Sequence, residues 1–347
     1  MKRNNWLNLA LRLIVSLAIA SVVILIMGNS PIEVFYQILK GAFGNKFNFG
    51  GMLEKFVPLT LTAVAFAVST KVGASNVGVE GELYFGAITA AYLGHKIVGL
   101  AGPIHIGVCF AAAMLVGALW ALIPGALKAY LGVNEVCTTI MLNYVAKALC
   151  SYLVNYPLSA GVGVAQTPVI EDTARLSRIL PPSRANTGLF IALGVVLLMY
   201  LFFNHTTSGY RLRCIGNNTA FSQYVGFNHR RGLVVGMMIS GAIGGLAGSI
   251  EVMGLYGYFL DNFSINMAFD GMLVSLISKN KLTVIPFAAL MIASMKAGAL
   301  SLNRYTDMTK AFVDTILALF IVLSCIEHLF DVRLLPGKKR RSSVSEK

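Results

Sequence analysis

Apolar and polar residues divide this chain into long blocks rather than short periods. Ten apolar segments stand out, at about 9–28, 56–71, 81–95, 103–123, 135–154, 188–203, 232–254, 267–278, 282–301 and 311–330. An α-helix needs roughly 20 apolar residues to cross the hydrocarbon of a bilayer. Several segments fall short, the third and eighth among them. Short apolar helices are tolerated in a membrane where neighbouring protein or a cavity satisfies their backbone. The pattern predicts an all-α polytopic membrane protein of about ten transmembrane helices, built as a single transmembrane domain over 1–347.

Composition agrees. Hydrophobic residues make up 56% of the chain and charged ones 12%, against about 25% charged in soluble domains. The lipid bilayer is therefore the expected solvent. A net charge of +13 would suit nucleic acid in a soluble chain, but the basic residues here lie in short loops between apolar runs, so no nucleic acid is expected. Seventeen Lys and Arg fall on the side that includes the N-terminus, and nine on the other. By the positive-inside rule both termini are expected in the cytoplasm, with the basic 331–347 stretch as a cytoplasmic tail. The start could pass for a signal peptide, but no convincing cleavage site ends it and further spans follow, so it reads as a retained first helix. The five cysteines form no close pair and no metal spacing.

The longest outer connection, 155–187, is rich in proline and predicts a short helix around Glu171 to Ile179. The longest inner connection, 204–231, is polar and basic. It predicts a short helix over Asn218 to Val225, started by Asn217 or Asn218 and ended by Gly226.

Two segments share the pattern N-x-x-x-[E/D]-G-x-L. "NVGVEGEL" at Asn76–Leu83 aligns with "NMAFDGML" at Asn266–Leu273, matching Asn76 to Asn266 and Glu80 to Asp270. They lie five spans apart. An odd offset implies an inverted repeat, with a first copy over about 56–154 and a second over about 232–330; chance similarity of short glycine-containing stretches is the other reading. Inverted repeats with broken helices are how many transporters build a central site. Glu80 and Asp270 are expected at the N-terminal ends of half-helices, where a carboxylate gains about 0.3–1 kcal/mol. Glu82 is expected to face solvent on the inner side. Lys147, Glu251, Lys296, Asp314 and Glu327 are further charges within spans, and Lys147 is expected to pair with a carboxylate of a neighbouring helix. Asn143 is a polar group on an apolar helix that could line a pathway. Gly236, Ser240, Gly244 and Gly248 form a small-residue ridge for close helix packing.

No phosphate-binding loop, zinc helix or nucleophile elbow is present. The chain is not expected to be an enzyme, and uphill transport would need an ion gradient or a separate ATPase.

The inner connection decides between these. Gly209, Arg213, Gly216, Asn217, Ala220 and Gly226 match the coupling-loop pattern of permease subunits of bacterial ABC importers for branched-chain amino acids, simple sugars and nucleosides. Phe221 departs from it, where a second small residue is usual. "NVGVEGELYFGA" and "NEVCTTIMLNYVA" resemble signatures of the nucleoside branch, with Glu82 in place of its usual glutamine. The resemblance runs over roughly 10–330. It implies a ten-span permease in the bacterial cytoplasmic membrane, importing nucleosides by alternating access. It also implies a second permease subunit expected to be a different chain, an ABC ATPase that binds the ATP, and an extracytoplasmic substrate-binding protein. No cofactor of the chain's own is expected. The coupling residues would be Gly209, Arg211, Arg213, Gly216, Asn217, Ala220 and Gly226. The substrate pathway would involve Asn76, Glu80, Glu82, Asn143, Asn266 and Asp270. A simple-sugar permease, ribose-like in substrate, is the alternative. An ion-coupled secondary transporter, binding a proton or Na⁺ at Glu80, Asp270 or Asp314, is a more distant one.

Overall fold

The computed structural model describes residues 30–305, preceded by positions 18, 19, 21, 22, 24–26 and 28. The segments expected at 9–28 and 311–330 lie wholly or largely outside these residues. So do both termini, the 331–347 tail, Asp314 and Glu327. By contact the chain divides into Ile32–Val313 and a second unit of Met1–Pro31 with Asp314–Lys347, and the helices below belong to the first.

Eleven α-helices are formed among the described residues: α1 (Pro31–Phe43), α2 (Lys46–Lys71), α3 (Val79–Lys96), α4 (Gly102–Leu131), α5 (Glu135–Asn155), α6 (Gly188–His205), α7 (Thr207–Asn217), α8 (Thr219–Tyr224), α9 (His229–Glu251), α10 (Met267–Ile277) and α11 (Ile285–Tyr305). A π-helical turn, Val252–Tyr256, continues α9. The described residues form no strand, only isolated bridges between Gln166 and Leu260 and between Arg178 and Asn186. Five helices are long and apolar enough to cross a membrane: α2, α4, α5, α6 and α9 with its π turn. The chain is a multi-pass membrane protein, helical throughout the regular elements of its described residues.

Two of these helices form the centre. α2 is buried along most of its length, from Phe56 to Ser69 without a break. α9 is its counterpart. The small residues of α9 serve two neighbours at once. Gly241 and Gly245 lie against Gly117 and Ala113 of α4, while Gly244 and Gly248 lie against Glu82 and Leu83 of α3. A Cβ at Gly248 would collide with the Leu83 carbonyl oxygen, so backbone meets backbone here, as the ridge predicted. α4, α5 and α6 expose Leu115, Leu119, Leu149, Phe190, Leu197 and Leu198. Large apolar side chains facing outward on long apolar helices are what lipid contact requires.

The structure departs from the sequence reading in three places. α2 begins ten residues before the expected 56: Asn45 caps it by accepting from the Asn48 N–H at 2.7 Å. Its first turns carry Lys46, Asn48, Glu54 and Lys55, which mask the helix in a hydropathy scan. α1 is an additional helix, thirteen residues long and so too short to register as a span. The helix expected around 171–179 shrinks to one 3₁₀ turn, Asp172–Ala174.

Candidate functional site

The first motif copy lies in the turn between α2 and α3 and in the first turns of α3. Asn76 is fully buried. Its Nδ2 donates to Glu82 Oε1 at 2.7 Å and to Ser240 Oγ of α9 at 2.9 Å, and its Oδ1 accepts from the Gly78 N–H. Ser240 donates onward to the Ala65 carbonyl of α2 at 2.7 Å. From α5, Asn143 braces the same turn. Its Oδ1 accepts from the Gly81 N–H at 2.8 Å, and its Nδ2 donates to the Val77 carbonyl at 2.9 Å. Asn76 and Asn143 therefore join four helices around one turn. Their amides are taken up by protein.

Glu82 corrects the sequence reading. It is 1% exposed rather than solvent-facing, and packs against Gly244 of α9. Its Oε2 has no hydrogen-bond partner among the described residues. The glycines beside it are also enclosed by protein: Gly78 lies against Thr139, and Gly81 against Asn143 and Ala146, all of α5.

Glu80 lies in the first turn of α3, as expected, yet it does not cap that helix; Gly78 holds the N-cap position without a side-chain bond. Its Oε1 accepts from the Ser264 hydroxyl at 2.7 Å, and its Oε2 accepts from the Ala268 N–H at 2.8 Å. Ala268 is in the first turn of α10, where backbone N–H groups lack intrahelical acceptors. The carboxylate of one motif copy thus caps the helix of the other. Lys147 of α5 stands 3.8 Å from Glu80 Oε1, the pairing expected for it, and its ammonium lies over the Tyr84 ring. Tyr84 donates to the Ser264 carbonyl at 2.9 Å. Tyr84 and Ser264 are partners that sequence reasoning missed; Tyr84 sits inside the motif, but nothing local reveals that it reaches 180 residues along the chain.

The second copy is built differently. Asn266 is exposed and left-handed, with φ 60°, and makes no side-chain cap. Asp270, partly buried, is ion-paired with Lys296 of α11. Gly271 fits against Thr62 and Ala63 of α2. The preceding loop is tied to the 156–187 connection: Phe259 N donates to Thr167 Oγ1 and Asp261 N to the Ala165 carbonyl.

The inner connection holds two helices, not one. Gly209, Arg211, Arg213, Gly216 and Asn217 all lie on α7. Asn218 caps α8 by accepting from the Phe221 N–H at 2.9 Å. The helix ends in a Schellman arrangement, with Gly226 left-handed at φ 86°, its N–H on the Gln223 carbonyl, and the Phe227 N–H on the Ser222 carbonyl. Gly209 packs on the backbone of Phe202 and Phe203, and Gly216 on that of Lys71 and Gly73. Gly216 thereby touches the end of α2 and the turn that leads to Asn76. Arg213 donates to Asn204 Oδ1 at 3.1 Å, and Arg211 lies over the Phe227 ring. Ala220 is exposed beside Phe221, Tyr224 and Val225, which leave an apolar tip 51%, 92% and 48% exposed.

No cluster of three or more metal-ligating side chains occurs among the described residues. Glu80 and Asp270 hold fixed partners, and Glu82 does so through one oxygen; the arrangement is suited to joining and moving helices. Comparison with known proteins agrees with that chemistry. Over 96% of both chains, the sequence is 30% identical to the guanosine ABC transporter permease NupP of Bacillus subtilis. It is 29% identical to the nucleoside ABC transporter permease NupB of Lactococcus lactis, over 95% of this chain and 93% of that one. It is also 26% identical to a glucose ABC transporter permease of Haloferax volcanii, over 92% and 87%. Residues 48–323 match the branched-chain amino acid transport system permease component, and the chain belongs to that family.

Proposed function

We propose that this chain is the membrane-spanning permease subunit of an ATP-driven importer that takes up nucleosides. The observation that carries the reading is the path from α8 to the motif joint. An exposed apolar tip at Phe221, Tyr224 and Val225 sits on a capped helix, α7 leads from it, and Gly216 packs directly on Gly73. A push on the tip by a partner ATPase would pass to the turn held by Asn76 and Asn143. From there it would reach Glu80, where α3 meets the start of α10. Small shifts at such a packed contact become larger movements because close-packed helices are not continuously deformable.

In this mechanism ATP is bound and hydrolysed on the ATPase, and the permease supplies no cofactor. Asn76, Glu80, Glu82 and Asn143 set the frame, while Asn266 and Asp270 line the route. A second permease chain completes the pore, and an extracytoplasmic binding protein delivers substrate near the 156–187 connection. Ten spans of the bacterial plasma membrane in two inverted repeats, with both termini cytoplasmic, are the topology this reading uses. The guanosine and nucleoside permeases among the relatives support the substrate class. The glucose permease supports a simple sugar as the second reading.

Uptake of labelled guanosine and uridine, in cells with and without the chain and with unlabelled ribose as competitor, tests it. The expected result is uptake that needs the chain, fails on ATP depletion, and ignores both ribose and a collapsed ion gradient. Inhibition by ribose would favour the sugar reading. Sensitivity to the gradient alone would contradict ATP coupling.

A further inference from the structure

A cavity of about 480 Å³ lies where α6 ends, α7 turns back and α9 begins. Ser208, Arg211, Asn228 and Arg231 supply its polar wall, and Phe202 and Val235 part of its apolar one. We infer that this cavity binds a phosphate group, with the phosphate of an anionic phospholipid as the expected source and free phosphate as the other.

Three independent observations converge on it. The whole 204–231 segment contains four arginines and no Asp or Glu, so it has no internal counter-charge. Arg213 is engaged by Asn204, Arg230 lies over the Tyr130 ring and Arg211 over the Phe227 ring, a contact to the guanidinium face that leaves its N–H edge open; neither Arg211 nor Arg231 makes an ion pair among the described residues. Guanidinium groups present a planar fork that matches phosphate oxygens. The second observation is the start of α9, a helix of 23 residues. Asn228 caps it by accepting from the Arg231 N–H at 3.0 Å, and the positive end of the helix dipole faces the cavity. The third is its depth and its apolar side. Val235 is six residues into α9, about 9 Å along the axis, and is 45% exposed on a helix that is otherwise mostly buried. A ligand with a phosphate at the helix start and a glycerol ester above it would match both walls. Basic pockets between helix ends are where anionic headgroups bind. The inference does not depend on the transported substrate.

The test is native mass spectrometry of the full chain in detergent, titrated with phosphatidylglycerol or phosphatidylcholine. Phosphatidylglycerol should bind more tightly. Arg211→Gln with Arg231→Gln should weaken it about 25-fold, roughly fivefold for each arginine, and leave phosphatidylcholine unchanged. Both side chains are exposed, and unfolding temperature verifies that the variants fold. The double arginine-to-lysine variant should lose affinity to a smaller degree, because charge stays and the fork is lost. Arg178→Gln, in a different arginine-lined cavity, should have no effect. Displacement of the lipid by millimolar inorganic phosphate would identify free phosphate as the ligand of the same site; resistance to it would identify the lipid. Equal binding of the two lipids with no competition by phosphate, or full phosphatidylglycerol affinity in the double glutamine variant, would overturn the inference.

Discussion

The two copies of the N-x-x-x-[E/D]-G-x-L motif share a pattern and differ in almost every contact. In the first, Asn76, Glu80 and Glu82 are 0–1% exposed and their bonds reach α2, α9 and the start of α10. In the second, Asn266 is exposed in a left-handed turn, and Asp270 meets a lysine on the adjacent helix. The same residue types therefore act as a brace at one end and as an open edge at the other. Burial makes the difference. A buried polar group is costly without partners, so the bonds it does make fix its neighbours, whereas an exposed one can exchange partners with water and with a ligand.

Substitutions at matched positions should separate the copies. Glu80→Ala leaves Lys147, Ser264 and the Ala268 N–H without their partner, and should cost about 3–5 kcal/mol as for other broken buried pairs. The matched Asp270→Ala, at a partly exposed pair, should cost about 1 kcal/mol or less. Thermal unfolding of the purified chain in detergent checks both, and equal losses would erase the distinction. Asn143→Leu strands the Val77 carbonyl and leaves the Gly81 N–H only its bond to the Gly78 carbonyl, and should cost about 2 kcal/mol. At the second copy, backbone strain decides the result. Asn266→Gly should be close to neutral and Asn266→Val should lose about 1–2 kcal/mol, because a β-branched residue resists φ 60°. The smallest expected change is also of opposite sign. Glu82→Gln keeps the acceptor for Asn76 and removes a buried carboxylate that has no cation within ion-pair distance among the described residues, so unfolding temperature should rise slightly. A marked fall would mean that the second oxygen of Glu82 has a partner.

Much of the fold was legible because membrane helices are written as apolar runs. α3 to α6 and α9 to α11 appear close to the expected bounds, and the small-residue ridge of α9 packs as read. α1 and α7 were missed for different reasons: α1 is apolar but only thirteen residues long, and α7 is a polar helix beside an apolar block, where hydropathy carries no signal. Within the site, the motif pointed to the right turn, and the pairing of Lys147 with a carboxylate was foreseen. The direction of Glu80 was not. Capping its own helix and capping α10 use the same residue at the same position, and only tertiary placement 188 residues away distinguishes them. Glu82 was expected in solvent because its burial comes from Gly244 of α9, a contact 162 residues away that nothing local reveals.

The most direct test is thiol labelling in intact cells, with the five native cysteines replaced by alanine and a small membrane-permeant maleimide that reaches both faces. Asn266→Cys should be labelled, and guanosine should slow the labelling. Asn76→Cys should remain unlabelled under the same conditions. Labelling of Asn76→Cys as fast as Asn266→Cys, or no labelling at Asn266→Cys, would contradict a braced first copy and a second copy open to the substrate route.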